Sequence, residues 1–407
     1  MGHAKTFSGN TMLSEGVAKR AQTIGLICAV VGLGASFGGG LMGGSDELHH
    51  QFYFSWLTAF AFFTTLSLGG LFFTILHHLV RASWSTGLRR IAENLSMNII
   101  LMAVAALVLT MGFGDVYHWT HIDPAKDPFF AVKEPYLNVG FFTGRAVFFF
   151  VLWTGLAFFF RSNSVAQDSS NTETEAAVYN HKMRKLAPLS MLAFALTLTF
   201  FAFDWLMSLD PHWFSTMFGV YIFAGTVVAL FAVLITTVLW LTRNEQVSPD
   251  VLTVGVFHDA GKLMFGFIVF WTYITFSQYF LIWYANIPEE TGWFIHRSHG
   301  GWEKIGFLIA VGHFALPFWV IMSRHVKRNR FMLGVAALWM LVMHFIDLYF
   351  VVMPTHHDHL HFHWLDLTTF VGLGGAFLMG FVFWCKRDAI IAHKDPQLTA
   401  SMGYDNV

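Results

Sequence analysis

Five residues that titrate or carry charge stand inside long apolar runs of this chain. Arg145 lies in NVGFFTGRAVFFF, Asp204 in FFAFDWLMSLD, His313 in AVGHFALP, and His344 with Asp347 in LVMHFIDLYF. An ionisable side chain at the centre of a bilayer costs about 2.5–3.5 kcal/mol on insertion scales and by default marks a functional site. Three arrangements fit these residue types. One is an ion pair of Arg145 with Asp204 or Asp347 that ties helices together. Another is a proton route over carboxylate and imidazole, and the third is a pocket for a quinone head group. They are compatible, since a quinol site needs proton acceptors.

The run MPTHHDHLHFHW, residues 353–364, adds five histidines between two apolar segments. Neutral imidazole is the commonest metal ligand, so the run invites a metal. Clustered loop histidines also buffer or relay protons, or simply pack and meet a partner subunit. A tight metal site needs ligands of fixed number and geometry with an ordered second shell, and the loop offers no sign of one. The reading therefore leans to no metal. A haem b would need facing histidines within the bundle. His313 and His344 are the one pair, both roughly 12 Å from the outer ends of consecutive antiparallel helices at 1.5 Å per residue. Pro317 near the first and Asp347 one turn from the second favour a polar pair over haem ligation. Cys28 and Cys385 are too few for an iron–sulfur cluster, which takes four thiolates.

The elements that must position these residues follow from composition. The 407 residues are 55% hydrophobic and 12% charged, whereas soluble domains carry roughly 25% charged residues. A polytopic, all-α membrane protein is expected, as one membrane domain over residues 1–407. Net charge of −1 leaves no basic face for nucleic acid. Segments of about 20 apolar residues, enough to span, occur near 21–42, 52–80, 91–114, 138–160, 187–209, 216–240, 263–285, 305–323, 331–352 and 366–385. With the N-terminus inside, 19 of the 24 Lys and Arg residues fall in inner segments, so the positive-inside rule puts both termini in the cytoplasm. The first apolar run follows Lys19-Arg20 without a visible cleavage site and reads as a span rather than a signal peptide.

Between the spans, 161–186 is polar and Ser/Asn/Thr/Glu-rich and is expected to be a mobile cytoplasmic loop. The outer loop 115–137, with Pro124, Pro128 and Pro135, reads as a folded cap. The glycine-rich first span contains Gly34-x-x-x-Gly38, a spacing that lets another helix approach closely, from this chain or from another subunit. On this topology 12 of the 21 histidines face outward, and all five charged or titrating span residues sit in the outer half. The inner half holds Glu93, Lys262, His77 and His78 near its mouth, with Thr64, Thr65, Ser67 and Asn98 as uncharged polar groups. This pattern predicts a polar half-channel that opens outward and stops near mid-membrane.

Two stretches carry a family resemblance: FDWLMSLDPHWFSTMFGVYIFAG (203–225) and WTYITFSQYFLIWYANIPEETGWF (271–294). With ten spans and outward Asp/His loops, the chain resembles the large membrane subunits of alternative complex III. That complex is a bacterial quinol:electron-acceptor oxidoreductase related to polysulfide-reductase-type anchors. Length and the short SLDPHWFS loop are closer to the F-type than to the C-type subunit. The resemblance implies two four-helix bundles with two flanking helices in a bacterial cytoplasmic membrane. It implies no haem or iron–sulfur cluster in this chain and a quinol:cytochrome c type of reaction in the whole complex. Implied partners are a homologous C-type membrane subunit, a multihaem cytochrome c, an iron–sulfur protein and a monohaem cytochrome c, besides membrane lipid. The subunit would supply a proton half-channel, for which Arg145, Asp204, His313, His344 and Asp347 are the candidates, and a second quinone or menaquinone pocket is one further reading. A secondary transporter and a b-type cytochrome are the alternative classes.

Overall fold

The computed structural model describes residues 11–402, and within them the chain is helical without strands. Among the described residues ten helices are long and apolar enough to cross a membrane. They are α1 (Glu15–Leu41), α2 (Asp46–Val80), α3 (Thr86–Met111), α4 (Val139–Asp168), α5 (Glu173–Leu209), α6 (Phe218–Arg243), α7 (Val254–Ala285), α8 (Trp302–Met322), α9 (Arg330–Thr355) and α10 (Trp364–Arg387). Helices α2–α5 pack as one four-helix bundle and α6–α9 as another, with α1 and α10 paired on the flank. The protein is a ten-helix integral membrane protein of the expected architecture. Its described ends meet on one side, where Ile390 N–H donates to the Thr11 carbonyl at 2.8 Å. That side is called the terminal side below, and the opposite one the histidine side.

Helix α2 holds the two bundles together. It is apolar all round, which in a helix means burial on every face, and 94% of its apolar window is enclosed. Two adjacent glycines on it let two neighbours approach closely. A Cβ on Gly69 would stand 2.9 Å from Leu230 Cβ of α6, and one on Gly70 would stand 2.7 Å from the Ala92 carbonyl of α3. The first would push the two bundles apart, the second would push α3 off α2 within the first bundle.

The glycines of α1 also serve packing, though not at the expected positions. Gly34 and Gly38 face open space. Gly25 and Gly32 instead meet Gly375 and Gly372 of α10, and a Cβ on Gly32 would lie 2.4 Å from Gly372 N. The close approach is internal, between the flanking helices.

The segment 161–186, expected to be a mobile loop, is helical instead, apart from a short turn. Helix α4 continues to Asp168 and α5 begins at Glu173. Thr172 caps α5 by accepting from Glu175 N–H at 3.2 Å, and the Glu175 carboxylate accepts from Asn171 N–H in the turn at 2.8 Å. The polar composition belongs to a hairpin projecting past the apolar zone.

The terminal side hides a network that sequence reasoning did not find. Arg89 and Arg90 are fully buried and both contact Glu93, at 3.0 Å each. Arg89 also pairs with Asp395 of the C-terminal tail, and Arg90 with Asp168 at 2.8 Å. Arg161 binds Asn94 at 2.9 Å and Asp388 at 2.7 Å. Buried charges persist only when paired and hydrogen-bonded. This network therefore fastens the tail and the α4–α5 hairpin to α3.

Candidate functional site

The five span residues fall into two separate groups. In the first bundle, Arg145 of α4 grips Asp204 of α5 with two bonds of 2.9 Å, Nε to Oδ2 and Nη2 to Oδ1. This is the bidentate fork that suits guanidinium to carboxylate. Tyr136, in the loop before α4, completes the cluster. Its hydroxyl donates to Asp204 Oδ1 at 2.7 Å, its carbonyl accepts from Arg145 at 3.0 Å, and its ring lies 3.8 Å beneath the guanidinium. Burial, followed by the Asp204 charge, pushes the Tyr136 phenol well above its ordinary range. Both Asp204 carboxylate oxygens and all three Arg145 nitrogens are bonded within the cluster, the arrangement of an ion pair that ties α4 to α5.

The second group lies between α2 and the second bundle. Asp347 accepts from the Tyr221 hydroxyl of α6. One turn further in, His344 Nε2 lies 2.9 Å from the Thr65 hydroxyl of α2. Thr65 already donates its only proton to the Phe62 carbonyl at 2.7 Å, so it must accept from His344. That fixes the proton on Nε2 and leaves Nδ1 as a bare acceptor. Nδ1 is buried without a partner, packed against Gly225 at 3.3 Å from where a Cβ would stand. His313 is fully enclosed and stacks flat on Trp271, with ring centroids 3.8 Å apart at 9°. It sits in a widened π-helical turn of α8, Ala310–Ala315, the kind of local bulge often found at functional sites. Neither of its ring nitrogens has a partner. His344 is thus held through Nε2 by Thr65, and His313 through its ring face by Trp271.

A cavity of about 520 Å³ opens on the histidine side, at the Thr355 end of α9. His50, His118, His212, His296, Asp210 and Arg297 are among its lining residues. Several of its imidazoles face carboxylates: His212 meets Asp127 at 2.7 Å, His296 meets Asp358 at 3.2 Å, and His50 meets Asp115 at 3.4 Å. The hydrogen bond from His212 holds Asp127 below the usual carboxylate range. Arg297 forms the floor. Its guanidinium donates to the carbonyls of Trp293, Phe350 and Val351 at 2.8–3.1 Å and stacks on Trp293 at 3.6 Å. Burial pulls it down to about 9, against the opposing charges of Asp210 and Tyr221. The Arg297 side chain thus stands in electrostatic reach of both the cavity and Tyr221. From the end of α9 at Thr355, Asp347 lies roughly 12 Å along the helix and His344 roughly 16 Å, at 1.5 Å per residue.

The histidines of 353–364 divide by task. His356 stacks on Phe54 at 4.7 Å, His357 bonds Gln51 Oε1 at 2.6 Å, and His363 caps α10. His359 and His361 are exposed. Among the described residues no group of three or more His, Cys, Asp or Glu is arranged to hold a metal ion. Burial, then the neighbouring His357, lowers His356 to about 4. Gln51 also links to Asp366, which accepts from Gln51 at 2.9 Å and from Ser55 at 2.5 Å.

Of the aromatic residues in the loops on the histidine side, Trp119, Phe130, Trp213 and Trp293 are buried within this chain, while Phe129 and Trp364 are exposed. The loop 115–137 is a folded cap, with helical turns at His118–His121 and Pro128–Lys133. Sequence reasoning missed Tyr221, Trp271 and Arg297. Tyr and Trp within apolar spans carry no mark that separates them from packing residues. Arg297 left one trace, a Trp four residues before it on the same helical face.

No family model matches the chain, and no curated protein matches it in sequence.

Proposed function

We propose that this multi-pass membrane protein is a subunit of a quinol-oxidising respiratory complex, that it holds no redox centre of its own, and that it supplies a proton half-channel. The observation that carries the reading is the buried pair of titrating groups on α9. Asp347 is bonded to Tyr221, and His344 is fixed in one tautomer with a free Nδ1, both beneath a histidine-lined cavity. A carboxylate and an imidazole one turn apart can take up and return a proton, and Tyr221 joins them to the level of Arg297 and the cavity. Thr65 is not a relay, because its proton is committed to a backbone carbonyl. It orients His344. Intramembrane ionisable groups that face a polar cavity fit proton relays.

The charge asymmetry favours a cytoplasmic terminal side, so the cavity would open outward. The resemblance in 203–225 and 271–294 supports alternative complex III as the assembly, with this chain in the F-type position. In that assembly, electrons leave quinol through a multihaem cytochrome c, an iron–sulfur protein and a monohaem cytochrome c, beside the C-type membrane subunit. The competing class is a secondary transporter. Purification through a tag on this chain separates the two. The proposal expects c-type haem and iron–sulfur signals to co-purify with quinol oxidation activity. A lone chain free of haem-bearing partners, after extraction in mild detergent, overturns it.

A further inference from the structure

A second cavity, of about 440 Å³, lies at the opposite end of the molecule from the histidine-lined one. It is a cleft between α1, α6 and α10, closed behind by Leu95 of α3. Its walls are apolar along their length: Ile24 on α1, Val233 on α6, and Phe377 and Phe381 on α10. From Asn244 at the end of α6 to Val233 is eleven residues, roughly 16 Å of helix. That is about half of the ~30 Å hydrocarbon core, the depth of one leaflet.

The mouth of the cleft has different chemistry. Arg20 stands there, exposed and without an ion-pair partner among the described residues, next to Trp240 and Asn244. Tryptophan at this level is typical of the membrane–water boundary, and basic pockets between helices on the cytoplasmic side favour anionic lipid head groups. The cleft does not suit a quinone ring. Of its polar residues, Thr236 bonds the Ala232 carbonyl and Asn244 bonds the Trp240 carbonyl, Thr237 is a single half-buried hydroxyl in the wall, and no charged or imidazole side chain is enclosed at depth to fix a ring carbonyl.

We propose that this cleft is a binding site for an anionic phospholipid of the terminal-side leaflet, with an acyl chain between α1, α6 and α10 and the phosphate at Arg20. The lipid fills the seam that remains because α1 packs on α10 through glycines and does not close against α6. Bound lipid would then belong to the fold, wedging the flanking pair against the second bundle.

The test is native mass spectrometry of the protein, within its assembly, titrated with phosphatidylglycerol and with phosphatidylcholine. The wild type is expected to retain phosphatidylglycerol in preference. Arg20→Gln is an exposed change that leaves packing alone, and it should weaken that binding about fivefold, the worth of one basic residue at an anionic surface. It should leave phosphatidylcholine unchanged. Thr237→Trp, which fills the cleft, should remove retention of both. Equal retention of the two lipids by the wild type overturns the proposal. So does retention that neither substitution alters, or capture of an added quinone in place of lipid.

Discussion

Arg145→Met tests whether the first charged group is a fastener. The substitution keeps the aliphatic stem but removes two charge-assisted bonds of 2.9 Å to Asp204, one bond of 3.0 Å to the Tyr136 carbonyl, and the stacking on Tyr136 and Phe141. Asp204 is 1% exposed and would keep only the Tyr136 hydroxyl. Hydrogen bonds to charged groups contribute about 1.5–3 kcal/mol each, and breaking one side of a buried pair costs about 3–5 kcal/mol because the partner stays buried and unpaired. The expected loss is therefore about 3–5 kcal/mol. Replacing both partners, Arg145→Met with Asp204→Leu, should recover most of it, since apolar substitutes for a buried pair are often neutral or better. The assay is equilibrium unfolding in mixed micelles, together with turnover normalised to assembled complex. Turnover per complex should stay near wild type in the double variant. A single variant within about 1 kcal/mol of wild type would refute the reasoning. So would a double variant no more stable than the single one.

Three further substitutions probe the flank and the histidine loop. Gly32→Leu should separate α1 from α10 and lower assembly sharply, because its Cβ would stand 2.4 Å from Gly372 N, whereas Gly34→Leu, in open space, should be tolerated; the check is the yield of monodisperse protein. His356 holds its neutral form down to about pH 4 in the fold against an ordinary value near 6.5. Its contribution is fully present above about pH 6.5 and is lost as pH falls toward 4. His356→Phe keeps the stack on Phe54 and cannot protonate, so it should lose less stability between pH 7 and 5. The difference should be about 1 kcal/mol after discounting for partial exposure, read from unfolding midpoints at the two pH values.

Span count was legible because about 20 apolar residues are needed for each crossing, whatever packs around them, whereas the two-bundle order was implied only by the resemblance. Helix ends were not. The α4–α5 hairpin carries Ser, Asn, Thr and Glu because its tip lies beyond the apolar zone, and a solvated helix end has the same composition as a loop. The site was legible in part. Asp347 and His344 stood out because charge is rare in a span, and a shared helical face follows from spacing alone. The pairing of Arg145 with Asp204 rather than Asp347 needed the bundle assignment, which places the two carboxylates in different bundles. Arg89, Arg90 and Glu93 looked like an ordinary inner mouth because Asp395 lies some 300 residues away in sequence. The glycines that meet α10 could not be told from Gly34 and Gly38 without knowing which face α1 turns inward.

The most direct test of the proton route is proton movement per quinol oxidised in sealed vesicles, comparing Asp347→Asn and His344→Gln with the Arg145→Met/Asp204→Leu pair. Asn keeps a hydrogen bond to Tyr221 but cannot titrate. The account predicts that the two α9 variants assemble and yet move fewer protons per turnover or turn over more slowly, while the Arg145/Asp204 double variant keeps the wild-type ratio. Wild-type proton movement and turnover per assembled complex in both α9 variants would contradict it and leave Asp347 and His344 as packing residues.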